Sequence, residues 1–343
     1  MEQLLRTLCA AEGVAGHEHA AAEAAAQLLS RRCENVRVDA LGSVVGERAG
    51  AGKRLLLDAH LDQVGMAVTA IEAGGFLRVT PCGHVDLRVL AGQEAAIHGK
   101  ETLFGVIPAT PPHLSKKEDK TPEWKDVLID MGGLSPESLE ALVPIGSRVS
   151  LRTAPARLLG ERFTAPALDD RAGVAAILRC LELLDAAKAH GGASPCCPPL
   201  TILFSVQEES GQGGAKTAGF ASEAKSAIVV DVSFAMAPGL SPQDAQGRLG
   251  GGVMIGLSPA LDERMGGALC RLAKEQQIPH TIEVMGGRTG TNADALHAVA
   301  AGIPCALLSL PLRNMHTAAE VVDMRDIEST ARLLAAYIMQ NAE

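Results

Sequence analysis

Five short segments each place a carboxylate or an imidazole just beyond an apolar run or at the start of a helix. They are Asp58-Ala-His60-Leu-Asp62, Ala167-Leu-Asp169-Asp170-Arg171, Val206-Gln-Glu208-Glu209-Ser210, Val229-Val-Asp231 and Asn314-Met-His316. Imidazole and carboxylate suit hard or borderline divalent cations, and two such ions about 3.5 to 4 Å apart need roughly five protein ligands with one carboxylate bridging. His60, Asp169, Glu209, Asp231 and His316 supply that inventory. His60 and Asp62 are two residues apart, so an extended segment points both the same way and lets Asp62 accept the second ring N–H, fixing the tautomer of a ligand histidine. The adjacent Glu208 and Glu209 divide the labour: one ligates, while the other faces a metal-held water and exchanges its proton.

Each segment alone has a plainer reading. A single histidine at a strand end is usually structural, Glu-Glu pairs are usually solvated surface, and Asp169-Asp170-Arg171 is also what a helix N-terminus favours electrostatically. The set acquires meaning only if the fold makes the segments converge. In an open α/β sheet the carboxyl ends of the strands face one crevice, which would bring distant segments together.

The intervening pattern predicts such a sheet. Leu4, Leu5 and Leu8 recur at helical spacing, an Ala-rich helix runs from His19 to Leu29, and Arg54 to Ala59 reads as a buried strand. After Ala165 come a helix from Arg171 to Ala187, strands at Leu200 to Val206 and Ala227 to Val232, a helix from Leu261 to Gln277, a strand at Cys305 to Leu310 and a helix from Asp326 to Ile338. Strands alternating with helices predict an open mixed sheet with helices on both faces. Between about Val64 and Leu159 the texture is different, with short alternating segments separated by Gly, such as MAVTAIEAGGFLRV and EAAIHGKETLFGVI. This predicts a catalytic domain of residues 1–64 and 161–343 carrying an inserted, small β-rich domain at 65–160, a block without a metal constellation of its own. Within it, Pro108 to Lys125 is polar and Pro-punctuated and reads as a mobile loop.

Composition removes whole classes of function. The net charge of -9 is spread along the 343 residues, which argues against a nucleic-acid groove, and 2% aromatic residues leave few stacking platforms for single strands or polysaccharides. No apolar stretch approaches bilayer length and the N-terminus is unlike a signal peptide, so no membrane is expected and the expected compartment is the cytoplasm. The eight cysteines contain no C-x-x-C pair and read as buried reduced thiols, with Cys196 and Cys197 diverging in a Pro-rich segment. There is no H-E-x-x-H, G-x-S-x-G, P-loop or dinucleotide fingerprint. His17, His19, His84, His98 and His297 read as structural, and His113 draws interest only because a loop can reach a neighbour's site.

The motifs DAHLDQVGMAV, GVIPATPPH, VLIDMGG, ALDDRAGVAA, SVQEESGQGGA and GIPCALLSLPLRNMHTAAEVVDMRDIE, taken together over nearly the whole chain, resemble the tetrahedral-aminopeptidase family of co-catalytic metallopeptidases, which includes glutamyl aminopeptidases and proteins once called cellulase M. The resemblance implies two divalent ions per subunit (zinc, or cobalt or manganese), one on His60, Asp169 and Asp231 and the other on Asp169, Glu209 and His316. It makes Asp62 the support of His60 and Glu208 the general base. Hydrolysis of N-terminal residues from peptides would then use a hydroxide bridged between the ions, with one ion polarising the scissile carbonyl. A large homo-oligomer, typically a dodecamer built from dimers with sites facing inward, is also implied, with the β-rich block as its dimerisation or apical part. Gln63, Asn292 and Asn314 depart from the family's usual Glu, Asp and Tyr; none is an expected ligand, so the departures bear on substrate preference.

Rival readings use the same residues. Another di-metal amide hydrolase, a deacylase or carboxypeptidase, shares the ligand set. An endoglucanase needs two carboxylates flanking a bond but has no use for histidine ligands. A catalytically idle assembly protein has no chemical reason to keep every ligand together with Glu208.

Overall fold

The computed structural model describes residues 1–111, 113–114, 123–189 and 197–340. Its centre is an eight-stranded mixed sheet in the spatial order Glu34–Val38, Val44–Arg48, Leu200–Ser205, Leu55–His60, Ser226–Phe234, Cys305–Leu312, Val253–Leu257 and His280–Val284. The four strands 200–205, 55–60, 226–234 and 305–312 are mutually parallel, so their carboxyl ends share one edge. Each is mostly apolar, without a polar alternation, because both its faces are covered. On one face the helices Leu168–Ala189, Met324–Gln340 and Glu263–Glu275 pack with the two N-terminal helices around Leu57, Ile177, Phe204, Ile228 and Leu334. On the other face Gly213–Ala221 and Ala293–Leu296 cover Leu56, Leu203, Val229 and Leu307.

Six strands, Gly65–Glu72, Phe76–Cys82, Leu128–Asp130, Thr102–Val106, Glu94–His98 and Arg148–Leu151, close into a barrel in that order. Closure removes the sheet edges that so small a β unit would otherwise expose. Met66, Leu77, Ile97, Ile129 and Val149 fill it as a cluster separate from the two that flank the central sheet. A third sheet pairs Arg162–Ala165 with Ala156–Arg157 and with Glu320–Asp323, and Thr164 lies opposite Val321.

The expected elements after Ala165 are present with shifted ends. Helix Glu263–Glu275 begins later than Leu261 because the Asp262 side chain accepts the Met265 N–H at 3.0 Å and so ends the preceding turn. Strand Ser226–Phe234 continues past Asp231, which sits inside the strand rather than beyond it. The pairs Glu34–Val38 with Val44–Arg48 and Val253–Leu257 with His280–Val284, together with helix Gly213–Ala221, are elements the sequence pattern did not mark. Half of the expected Pro108–Lys125 loop (residues 112 and 115–122), and Cys196, lie outside the described residues. The seven described cysteines are free, with Cys9, Cys180 and Cys305 buried and the others part-exposed. Among the described residues no helix is long and apolar enough to cross a membrane.

Candidate metal centre

Strand register decides the first half of the site. Ser205 lies opposite His60 and Val229 opposite Asp58, so Asp231 sits level with His60 on the neighbouring strand. Both side chains lean toward Asp169, which stands where the chain leaves Ala167 to enter the long helix. His60 Nε2 is 3.0 Å from Asp169 Oδ1 and 3.9 Å from Asp231 Oδ1. The second half comes from loops: His316 Nε2 is 3.3 Å from Asp169 Oδ2 and 3.3 Å from Glu209 Oε1. The candidate ligands thus form two triads, His60–Asp169–Asp231 and Asp169–Glu209–His316, with the donor atoms of each within 4.8 Å of one another.

The donor set fits a pair of divalent cations. Ligand atoms about 2.1 Å from a tetrahedral ion stand roughly 3.4 Å apart, close to the separations found here. Asp169 offers a different oxygen to each triad, as a bridging carboxylate must. The electrostatics point the same way. Although burial disfavours its charge, His60 is held well above its usual pKa by Asp169 and Asp62, and His316 is held up to about 11 by Asp169 and Glu209. Burial raises Asp231, Glu209 and Asp170, reinforced by Asp169 in each case. So many buried carboxylates at one point call for positive charge.

The tautomers of both histidines are set by backbone carbonyls. His60 Nδ1 is 3.0 Å from Asp62 O, and His316 Nδ1 is 3.0 Å from His84 O, which leaves each Nε2 facing its carboxylates. Asp62 stands against the His60 ring with its carbonyl nearer to Nδ1 than its carboxylate, whose Oδ1 is 3.5 Å away. The Asp62 carboxylate also accepts the backbone N–H groups of Glu208 at 2.9 Å and Glu209 at 3.0 Å, tying down the loop that carries both glutamates. Glu208 belongs to neither triad, and burial pushes its pKa up to about 7, with Glu209 and Asp62 adding to the rise against the lowering effect of His60.

Several residues that hold the site were not singled out from sequence. Glu320, 2% exposed, accepts the Asp169 N–H at 3.0 Å and the His316 N–H at 2.8 Å, so one carboxylate fixes the backbones of two ligands. Its spacing four residues after His316 was the available signal. Asp170 accepts the His60 N–H at 3.2 Å, and Glu18 accepts the Gln207 N–H at 3.2 Å. Arg171 is fully buried and donates to Leu61 O, Leu8 O and Ala11 O, which rules out the solvated helix-end reading of Asp169-Asp170-Arg171. The Asn292 amide donates to Asp58 Oδ2 and Ser205 Oγ, each at 2.8 Å; an aspartate there would set a second carboxyl against Asp58. Gln63 is 8% exposed, while Asn314 is exposed with its amide on Ala319 O.

Among the described residues the barrel adds no side chain to either triad, yet it touches the site. At Gly83 φ is +79°, and a Cβ would stand 2.8 Å from Val64 Cγ1 and 3.3 Å from Glu209 Cβ, so only glycine lets this turn carry the His84 carbonyl to His316. Of nine non-glycine residues with positive φ among the described residues, five (Ala167, Gln207, Gln212, Asn314 and His316) lie in segments that carry the triads. That concentration is what a strained, over-determined functional site shows. Of the other histidines, His98 bonds Ser150 and stacks on His17, away from both triads.

A buried cage of carboxylates and two oriented imidazoles at the carboxyl edge of an α/β sheet is the kind of site a metal-dependent hydrolase uses. Residues 42–333 match the family model described as M42 glutamyl aminopeptidase, and the chain belongs to that family. It is 30% identical to the lysyl aminopeptidase of Pyrococcus furiosus over 98% of this chain and 96% of that protein. Aminopeptidase APDkam598 from the archaeon Desulfurococcus kamchatkensis superposes with a TM-score of 0.90 at 29% identity, over 99% of this chain and 94% of that one. The Pyrococcus horikoshii TET1 peptidase, whose structures are of a tetrahedron or a large octahedral shell, gives 0.84 at 28%, over 98% of each chain. A Thermotoga maritima structure described as an endoglucanase gives 0.76 at 26%, over 99% of each chain. Membership of the family makes this protein a metal-dependent aminopeptidase, a hydrolase of peptide bonds.

Proposed function

We propose that the enzyme binds two divalent ions per subunit, zinc, cobalt or manganese, one on His60, Asp169 and Asp231 and the other on Asp169, Glu209 and His316, with Glu208 as general base. The observation that carries this reading is the pair of triads sharing Asp169. Bound ions supply Lewis acidity at the scissile carbonyl and at the attacking water. Glu208 takes the proton from that water and returns it to the leaving amine, a role suited to a carboxylate raised toward neutrality. Asp62 acts on both halves at once, orienting the His60 ring through its carbonyl and the Glu208–Glu209 backbone through its carboxylate. The substrate is a peptide presenting a free N-terminal residue, and the compartment is the cytoplasm, where free thiols persist.

The endoglucanase description of one similar structure favours a second reading. A glycosidase needs two carboxyl groups about 5 Å or more apart on either side of a bond and no cation. Here Glu208 and Glu209 are adjacent and tethered to one carboxylate, and Glu209 faces His316. Chelation separates the readings. Stripped protein should lose hydrolysis of a free-amine aminoacyl anilide and regain it with zinc, cobalt or manganese, while an N-acylated anilide stays uncut. Full activity after verified metal loss would refute the proposal, and cleavage of the acylated substrate would favour a deacylase.

We also propose that copies of the chain assemble through the inserted barrel (residues 65–160) into a large homo-oligomer, a dodecamer built from dimers. Support comes from the assembled forms of the Pyrococcus horikoshii peptidase and from Phe104 and Val106, which stand 59% and 47% exposed on the barrel wall. Light scattering should give a mass well above two 35.6 kDa chains.

A further inference from the structure

The loop that carries Glu208 and Glu209 ends at Gln212, a left-handed residue (φ +62°) that opens helix Gly213–Ala221. Its backbone N–H bonds back to Gln207 O at 2.7 Å, which folds the loop on itself and sets the Gln212 side chain beside Glu208. The side-chain Nε2 has two hydrogens to give and meets two acceptors: Thr291 O at 2.6 Å and Glu208 Oε1 at 3.3 Å. Thr291 is itself immobilised. The next residue, Asn292, is 1% exposed and is bonded to Asp58 and Ser205, which lie on the two strands beneath the site. The amide of Gln212 therefore connects the Glu208 carboxylate to backbone that is locked onto the central sheet. Its side-chain bonds reach no member of either triad.

We infer that Gln212 is a positioning residue for Glu208: it holds one carboxylate oxygen and so restricts rotation of the carboxylate, leaving the other oxygen free to exchange a proton with the attacking water. The anchoring bond to Thr291 is the shorter one, so the amide is fixed independently of Glu208 and orients it rather than following it. The sequence contained the signal, a glutamine four residues after the glutamate, but spacing alone did not show that a loop rather than a helix joins them.

This inference rests on the reading of Glu208 as the base, and the experiment separates the two. Gln212→Met keeps length without a donor, and Gln212→Glu keeps shape but turns an acceptor on Glu208; having both guards against one failing to fold. In metal-reconstituted enzyme, kcat of Gln212→Met should fall about 10-fold, and that of Gln212→Glu further, with KM within about 2-fold and ion content and thermal midpoint unchanged. In a Glu208→Gln background the Gln212→Met substitution should cost less than about 2-fold, because the group it orients is already gone. Unaltered kcat in the Gln212 variants, with Glu208→Gln inactive, would overturn this inference alone. A loss that recurs in full in the Glu208→Gln background, or that accompanies loss of ions or stability, would make Gln212 merely structural and overturn it too. Full turnover in Glu208→Gln would remove the reading beneath it.

Discussion

The two triads share a ligand but are built by different means. His60, Asp169 and Asp231 are 2%, 6% and 6% exposed, and two of the three stand on adjacent strands whose register fixes their spacing. In the other triad Glu209 and His316 come from loops, and the His316 side chain is 24% exposed. These loops hold their place through hydrogen bonds to buried carboxylates, Asp62 under Glu209 and Glu320 under His316, and through the glycine turn of the barrel. A ligand set by sheet register moves only if the core opens, whereas one set by loop contacts moves at far lower cost. On the proposed two-ion reading, the sheet-borne triad suits retention. The loop-borne triad, with Glu208 on the same loop, then suits chemistry and exchange.

That contrast can be broken experimentally. The largest effect is expected at Glu208→Gln, which preserves shape but cannot accept a proton: kcat should fall by on the order of 10² to 10⁴ while both ions stay bound, as metal analysis beside steady-state kinetics will show. Loss of ions in that variant, with Glu209→Gln keeping them, would exchange the two roles. Next in size are the histidines. His60→Ala should leave the protein short of its most tightly held ion, whereas His316→Ala should lose only the ion that the wild-type protein surrenders first as chelator is raised. Equal loss from both variants at equal chelator would erase the distinction between the halves. The smallest effect is at the barrel contact. Gly83→Ala should cost about 1 kcal/mol of stability for its positive φ and weaken the loop-borne ion roughly 10-fold, leaving the other ion unchanged. Metal titration followed by activity measures this, and weakening at both triads would mean that the turn supports the site as a whole.

Much of this was readable in advance because it depends on local chemistry. Residue type gave the candidate ligands and the division of roles proposed for Glu208 and Glu209, and apolar runs gave the parallel strands whose ends carry them. Such runs and caps are set by side-chain period and backbone propensity, which act within a few residues. Edge strands such as His280–Val284 were missed because their polar, part-exposed faces show no continuous apolar run. The roles that sequence could not assign are those made by contact at long separation. Asp62 serving the Glu208–Glu209 backbone, Glu320 reaching back to Asp169, the His84 carbonyl reaching from the barrel and Gln212 resting on Thr291 are all hydrogen bonds across dozens to hundreds of residues. A hydrogen bond is formed only within about 3 Å and at a favourable angle, so which carboxylate becomes a ligand and which a brace is settled only when packing of the sheet, loops and barrel fixes those distances.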